Sequence, residues 1–90
     1  MVNSYKNKFN IKHGQPLDKS NTLNEIAKLS GYKKAGLKKI IEKGEGAFFS
    51  NPSSVRPNIT NPTAWGYARL YSAVMGGKAS IIDKDLLKKA

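Results

Sequence analysis

The stretch Thr22–Ile41, TLNEIAKLSGYKKAGLKKII, decides the fold predicted for this chain. Thr22 and Glu25 have the spacing of a capping box, in which a hydroxyl and a carboxylate satisfy the free backbone N–H groups at a helix start. Gly31 can take the left-handed backbone conformation that ends a helix. A second helix is predicted to start at residue 32 or 33 and to end before Gly44, with one apolar face. The stretch therefore predicts two helices joined by a tight turn.

These two predicted helices resemble a helix-turn-helix. Ala27 is small enough to let two helices cross closely, and Gly31 follows it at the spacing that the turn requires. In that motif the second helix enters the major groove of DNA. Its outward face carries lysines but no Arg, Asn or Gln that could form bidentate contacts with base edges. An ordinary helical hairpin with solvated lysines is the alternative. The outward lysines are Lys33, Lys34, Lys38 and Lys39.

A third helix is predicted to begin at Asn61, because an Asn side chain can cap the free N–H groups and Pro62 suits the first helical position. It is predicted to end at Gly76-Gly77. Its apolar residues lie almost all round the helix, which is typical of a central, buried helix. The residues expected in the core are Ile26, Tyr32, Leu37, Ile40, Trp65, Leu70, Val74 and one of Phe48 and Phe49.

The remaining segments carry weaker signals. Residues 44–61 lose the helical period and predict a long ordered loop that packs back on the core. A short last helix is predicted over residues 83–89, with acids at its start and lysines at its end. Residues 1–21 predict a basic, mobile arm, with a short docked segment as the alternative. The expected fold is mainly α: a small single-domain helical bundle over residues 22–90 with a helix-turn-helix-like hairpin and a central apolar helix.

Composition narrows the class of protein. Ninety residues are enough for one small domain, and 16 Lys and Arg against 6 Asp and Glu give a formal net charge of +10. The chain contains no cysteine, which excludes disulfides and thiolate chemistry. No stretch is apolar enough for a signal peptide or a membrane span, so we expect no membrane partner. The charge is spread along the chain, which indicates a folded part that is itself basic.

Four short motifs stand out in the second half of the chain. They are a glycine-aromatic stretch at 46–49, the Ser-x-Arg-Pro loop Ser54-Val55-Arg56-Pro57, the Trp-x-x-Ala-Arg helix from Trp65 to Arg69, and Gly76-Gly77-Lys78-Ala79. Together they resemble a family of small basic proteins from tailed phages, marine cyanophages especially, and from large DNA viruses. The resemblance covers about residues 30–88. The family is a domain of unknown function with no assigned catalytic residues, so the resemblance implies a viral origin and little about activity.

The two arginines allow either a structural or a binding role. Arg69 lies on the apolar helix, where a charge is costly unless it is paired or stacked. In the structural alternative Arg69 pairs with Asp83 or Asp85. It then also stacks on Trp65. In the binding alternative Arg69 and Arg56 converge on a phosphate, which the planar guanidinium group suits equally well. Ser53 and Ser54 contribute to that site.

No catalytic site is predicted. His13 is the one histidine of the sequence and has no nearby carboxylate partner. Glu42 and Glu45 fit a solvated helix end better than a metal site. The pair Asp83-x-Asp85 fits the start of a helix in the same way. We therefore expect a protein without enzymatic activity, cofactor or metal.

The sequence favours a non-enzymatic viral protein that binds nucleic acid, DNA more than RNA, mainly through sequence-independent phosphate contacts. The alternative is a virion structural protein or a host-protein interaction module that binds an acidic surface. Either protein would act in the host cytoplasm or in the virion. The predicted nucleic-acid-binding residues are Lys33, Lys34, Lys38, Lys39, Arg56 and Lys78.

Overall fold

The computed structural model of the protein describes residues 4–50 and 61–90. These residues form a mainly α fold, as predicted, with one isolated antiparallel bridge between Tyr32 and Lys89. A 3-10 turn at Lys84–Leu86 follows the last helix. The α-helices of this part of the chain are α1 (Tyr5–Lys12), α2 (Leu23–Ser30), α3 (Lys34–Ser50), α4 (Pro62–Val74) and α5 (Lys78–Ile82).

The start and end of α2 agree with the prediction. Thr22 Oγ1 accepts the backbone N–H of Glu25 at 3.2 Å, and Glu25 Oε1 accepts the backbone N–H of Thr22 at 3.0 Å. That backbone hydrogen bond, with help from the Lys19 ammonium 2.9 Å away, holds the pKa of Glu25 below its ordinary value of 4.5. Gly31 ends the helix in the left-handed conformation at φ 77°.

Helix α3 is longer than predicted, because Gly44 lies inside it and does not end it. Gly44 is buried where α4 crosses, and a Cβ atom there would lie 2.6 Å from the Cα of Gly66. A Cβ on Gly66 would in turn lie 2.6 Å from the carbonyl oxygen of Ile41. The two glycines let the backbones of α3 and α4 touch, so close packing compensates for the poor helix propensity of Gly44.

The predicted loop over residues 44–61 is therefore wrong in its first part. Residues 44–50 form the last turns of α3, and residues 51–60 lie outside the described part of the chain. Phe48 is half-buried and Phe49 is 72% exposed, so neither ring enters the core as expected. Continuing the helix moves both side chains toward its far end, and the two rings pack edge-to-face on each other with centroids 5.5 Å apart.

Helix α4 is the central helix, as predicted. The Asn61 side chain caps it by accepting the backbone N–H of Ala64 at 2.7 Å, and Pro62 opens it. It contacts α1, α3 and α5. Trp65, predicted in the core, is half-buried and lies outside the core cluster. The buried apolar residues are Phe9, Ile26, Leu37, Ile40, Ile41, Leu70, Tyr71, Ala73 and Ala79.

The N-terminal region differs from the predicted mobile arm. Residues 5–12 form α1, and Ser4 caps it with a capping box to Asn7. Phe9 is 1% exposed and packs edge-to-face on Tyr71 of α4, with ring centroids 5.4 Å apart. One buried ring anchors α1, so the helix has little amphipathic periodicity and its sequence resembles that of an arm.

Buried amides close the connection between α1 and α2. The Asn10 amide donates to the carbonyl oxygens of Leu17 and Lys19 at 2.9 and 3.0 Å. The Asn21 amide donates to Asn10 Oδ1 at 2.8 Å and to the Tyr71 hydroxyl at 3.2 Å. Each of these hydrogen bonds replaces one with water for a buried amide N–H, so this largely polar segment is ordered against α4 although its Leu17 is half exposed.

The C-terminal region differs from the helix predicted over residues 83–89. Helix α5 ends at Ile82, the 3-10 turn follows, and residues 88–90 are extended beside residues 31–33. The backbone N–H of Lys33 donates to the carbonyl oxygen of Lys88 at 2.7 Å, and that of Ala90 donates to the carbonyl oxygen of Gly31 at 2.9 Å. These backbone hydrogen bonds to the α2–α3 connection take the place of the intrahelical hydrogen bonds that the predicted last helix would have.

We predict that Gly44→Ala lowers the free energy of unfolding by about 1–3 kcal/mol, the usual cost of overfilling a packed site. Gly46→Ala is the matched control on the same helix, because a Cβ there meets no other atom within 4 Å. It should stabilise the protein by about 0.5–1 kcal/mol, since alanine is the better helix former. Chemical denaturation of both variants measures the difference. Equal effects from the two substitutions would contradict the close crossing of α3 and α4.

Candidate nucleic-acid interface

The lysines predicted on the second helix are all exposed at the start of α3. Lys34 and Lys38 are four residues apart and lie on one side of the helix. Lys39 lies about 140° round the helix from Lys34, at 3.6 residues per turn. Leu37 and Ile40 point to the core from the opposite arc. The lysines therefore cover a broad outer surface of α3 and not a narrow stripe.

Two further lysines join this surface from the other end of the sequence. The hydrogen bond from the backbone N–H of Lys33 to the carbonyl oxygen of Lys88 places the C-terminal segment directly beside the start of α3. Lys88 and Lys89 are both exposed, and the Lys89 ammonium lies 4.4 Å from the centroid of the Tyr32 ring. The sequence pattern places both lysines at the end of the helix predicted over residues 83–89. No local pattern indicates that they contact residues 31–33, which are more than 50 positions away. We call Lys33, Lys34, Lys38, Lys39, Lys88 and Lys89 the basic cluster.

Glycine again permits the close contact at the start of α3. A Cβ atom on Gly36 would overlap the carbonyl oxygen of Leu86, so the 3-10 turn lies directly on this part of the helix. This contact explains a glycine that costs about 1 kcal/mol of helix propensity. It also holds the segment that carries Lys88 against α3.

The basic cluster is not neutralised within the part of the chain that the structure describes. Its members form no ion pair there, and the undescribed residues contain no Asp or Glu. The strongly paired acids, Glu25 and Asp83, bind other cations. Glu42 is exposed within one helical turn of Lys38 and Lys39 but forms no ion pair with them. Neighbouring ammonium groups that outnumber the carboxylates near them create a positive field that attracts anions. The arrangement is suited to contacts with phosphate groups.

Arg69 has the structural role that the sequence allows for it. Its guanidinium donates two hydrogen bonds to the Asp83 carboxylate, Nε to Oδ2 at 2.8 Å and Nη2 to Oδ1 at 2.9 Å. Lys43 Nζ lies 3.4 Å from the same carboxylate. This bidentate pairing joins α4 to the end of α5, and Lys43 adds α3 to the same junction.

The charges at this junction depend on one another. Burial alone raises the pKa of Asp83, but the hydrogen bonds and charge of Arg69, with a smaller effect of Lys43, bring it below its ordinary value of 3.8. The Asp83 hydrogen bond in turn raises the pKa of Arg69. Asp83 is 1% exposed and satisfied by its partners, so neither it nor Arg69 is free to bind a ligand.

The other predicted residues lie elsewhere. Arg56 lies outside the described residues, so the structure does not place it. Lys78 is exposed at the first residue of α5, on a separate element from the basic cluster. The structure therefore brings together the four lysines predicted on the second helix, and it adds Lys88 and Lys89 to them.

The histidine and Glu45 considered in the sequence have identifiable contacts in the described part of the chain. The His13 ring packs on Phe9 with centroids 4.5 Å apart, at the end of α1. Glu45 lies 3.3 Å from the Thr63 hydroxyl. No group of three or more potential metal ligands occurs within residues 4–50 and 61–90.

Comparison with protein-family models, curated proteins and solved structures finds no match to this chain. The motif residues that the structure describes nevertheless have clear local roles. Gly66 makes the contact with α3, Arg69 binds Asp83, and Gly77 lies against the Tyr5 ring. Among the described residues, no helix has the length and apolar character needed to cross a membrane.

We predict that Arg69→Met costs about 3 kcal/mol of stability at neutral pH, because it leaves a buried carboxylate without its main partner. In the parent, the depressed pKa of Asp83 makes a contribution that is complete above pH 3.8, the ordinary value, and is lost as the pH falls through the folded-state value. In the variant, only the smaller effect of Lys43 opposes burial, so we expect the pKa of Asp83 to rise. The stability difference between parent and variant should therefore shrink as the pH falls from 7 toward 4.

Urea denaturation at several pH values measures this difference. Asp85→Asn is the control, because Asp85 is an exposed carboxylate two residues away. It should change stability by less than about 0.5 kcal/mol. If Arg69→Met is as stable as the parent at pH 7, the ion pair does not hold the α4–α5 junction together.

Proposed function

We propose that this protein binds nucleic acid without enzymatic activity, through contacts between the basic cluster and phosphate groups. The observation that carries the proposal is the hydrogen bond that places the C-terminal segment beside the start of α3, so that exposed lysines from both segments are neighbours. Exposed ammonium groups can reach an array of phosphates.

The side chains of this surface support affinity more than sequence selection. Lysine is a compact point charge and does not form the fork-like contacts by which arginine reads guanine. All six members of the basic cluster are lysines. Phosphate contacts fix the position of a protein on a duplex but carry no direct information about base sequence. Binding should therefore be similar for different sequences and strongly dependent on salt.

Duplex DNA suits this surface better than single strands. Binding of single strands relies on aromatic rings that stack on bases. The ring next to the basic cluster is Tyr32, and the Lys89 ammonium already covers one of its faces. The major groove of B-DNA also admits a helix such as α3, whereas that of A-form RNA is deep and narrow.

The resemblance to small basic proteins of phages and large DNA viruses extends this proposal to a viral setting. A protein of that kind would meet nucleic acid in the infected host cell or in the virion. The positive charge of the whole chain would accelerate association with DNA through long-range attraction.

The test compares two variants with the same net charge. The first carries Lys34→Ala, Lys38→Ala and Lys88→Ala in the basic cluster. The second carries Lys6→Ala, Lys8→Ala and Lys12→Ala on α1, which packs against α4. Fluorescence anisotropy with a labelled DNA duplex at several salt concentrations gives the affinity and its salt dependence. Melting temperatures should stay close to that of the parent, since surface charges contribute little to stability.

The cluster variant should bind more weakly, and its slope of log affinity against log salt should become shallower by about 0.9 for each DNA phosphate that it no longer neutralises. The α1 variant should keep most of the parent affinity. Equal weakening of both variants would show that net charge alone attracts the DNA. Tighter binding of the parent to poly-glutamate than to DNA would favour an acidic protein surface as the partner.

A further inference from the structure

Helix α5 exposes the two largest apolar residues that it contains. Ile81 is 78% exposed and Ile82 is 59% exposed, whereas the smaller Ala79 is 7% exposed. The helix thus turns its small residue toward α4 and its isoleucines toward solvent. Both isoleucines forgo the stabilisation that burial would give them, about 1.5–3 kcal/mol for a fully buried side chain. The two isoleucines are consecutive in the sequence and form a small exposed apolar patch.

Ile81 and Ile82 are flanked in the sequence by two exposed lysines. Lys78 is three and four residues before the isoleucines and so lies on the same side of α5. Lys84 follows Ile82 by two residues and is also exposed. The carboxylate between them, Asp83, is buried and paired with Arg69 and Lys43. Asp85, next to Lys84, is exposed. An occupant of this surface therefore meets one apolar tip, two ammonium groups and one carboxylate.

The junction at Asp83 holds the apolar pair rigidly on the rest of the protein. Asp83 immediately follows Ile82, and its carboxylate is bound to Arg69 of α4 and to Lys43 of α3. The 3-10 turn that comes next packs on α3 at Gly36. The segment that carries the isoleucines therefore leads directly to the helix that carries most of the basic cluster.

A second copy of this protein does not fit the pair. Two side chains supply far less than the roughly 1,000 Å² that a specific protein interface buries. Two chains of net charge +10 also repel each other. On nucleic acid the pair would not have to supply the whole interface, because the lysines of the basic cluster are proposed to contact the same duplex. Proteins that bind the minor groove of DNA frequently insert apolar side chains, isoleucine among them, between base steps and so bend the duplex.

We propose that Ile81 and Ile82 form an apolar wedge that enters a base step of duplex DNA and bends it, with Lys78 and Lys84 on the flanking phosphates. This inference rests on the proposed nucleic-acid binding and adds a deformation of the duplex to it. The wedge favours base steps that unstack easily, so it introduces a preference for flexible DNA that phosphate contacts alone do not supply.

The test measures DNA bending and binding separately. A duplex with a donor and an acceptor fluorophore at its ends reports bending through energy transfer, and anisotropy on the same duplex reports affinity. The wedge variant is Ile81→Ala with Ile82→Ala. The matched control is Ile11→Ala with Leu17→Ala, which removes two exposed apolar side chains, 57% and 50% exposed, from the N-terminal region.

The parent and the control should both increase energy transfer on binding, and they should bind a duplex with a central mismatch more tightly than an intact one. The wedge variant should lose both effects. Its salt dependence should stay that of the parent, because the phosphate contacts remain. If the parent binds DNA and the wedge variant bends it equally well, the wedge does not exist.

Four other outcomes would overturn the inference. Parent protein that binds the duplex without any increase in energy transfer excludes bending while leaving the proposed function intact. Sedimentation of the parent as a dimer, and of the wedge variant as a monomer, assigns the isoleucines to self-association. Binding of the parent to vesicles of phosphatidylserine and phosphatidylcholine that the wedge variant loses assigns them to a membrane surface. Absence of DNA binding by the parent rejects the proposed function itself.

Discussion

The close crossing of α3 and α4 is the constraint on which the rest of the structure depends. Gly44 and Gly66 let the two backbones touch, and a side chain on either residue would force them apart. This crossing keeps α3 helical beyond the glycine that the sequence pattern predicts as its end. It also fixes Leu37 and Ile40 in the core, so the lysines between and around them face solvent. The exposed charge on α3 is therefore a consequence of packing as well as of composition.

The ion pairs of Asp83 form a second junction, which joins the end of α5 to the crossing helices α3 and α4. Asp83 is buried at the end of α5, where Arg69 of α4 and Lys43 of α3 both reach its carboxylate. A small domain buries little apolar surface, so bonds that connect several elements at one point have a large effect on its stability. Beyond this junction the chain packs on α3 and ends beside the α2–α3 connection. The junction thus links the core to the surface that we propose as the binding site.

Local signals in the sequence predict much of this architecture. The capping box at Thr22 and Glu25, the end of α2 at Gly31 and the start of α4 at Asn61 act over a few residues, and all three are confirmed. The sequence also predicts, as one of two alternatives, that Arg69 pairs with Asp83 or Asp85, since a charge on an apolar helix requires a partner. The structure selects Asp83.

Tertiary contacts decide the features that local patterns do not predict. A glycine at position 44 is typical of a helix end. Only its backbone contact with Gly66 of α4 explains why α3 continues through it. Helix α1 is held against α4 by one buried ring, Phe9. Hydrogen bonds between amide side chains fix the connection from α1 to α2. The sequence predicts binding lysines on α3 but not their neighbours from the C-terminal segment, because the return of Lys88 to Lys33 depends on the whole fold.

The most direct test of the proposed binding surface is the reactivity of each lysine toward acetylation, followed by mass spectrometry, with and without duplex DNA. We predict that DNA protects the lysines of the basic cluster, Lys34, Lys38 and Lys88 in particular. Lys8 and Lys12 of α1, also exposed, should react equally in both samples. Protection of the α1 lysines with continued reactivity of the basic cluster would contradict the proposal and place the binding surface at the N-terminal end of the sequence.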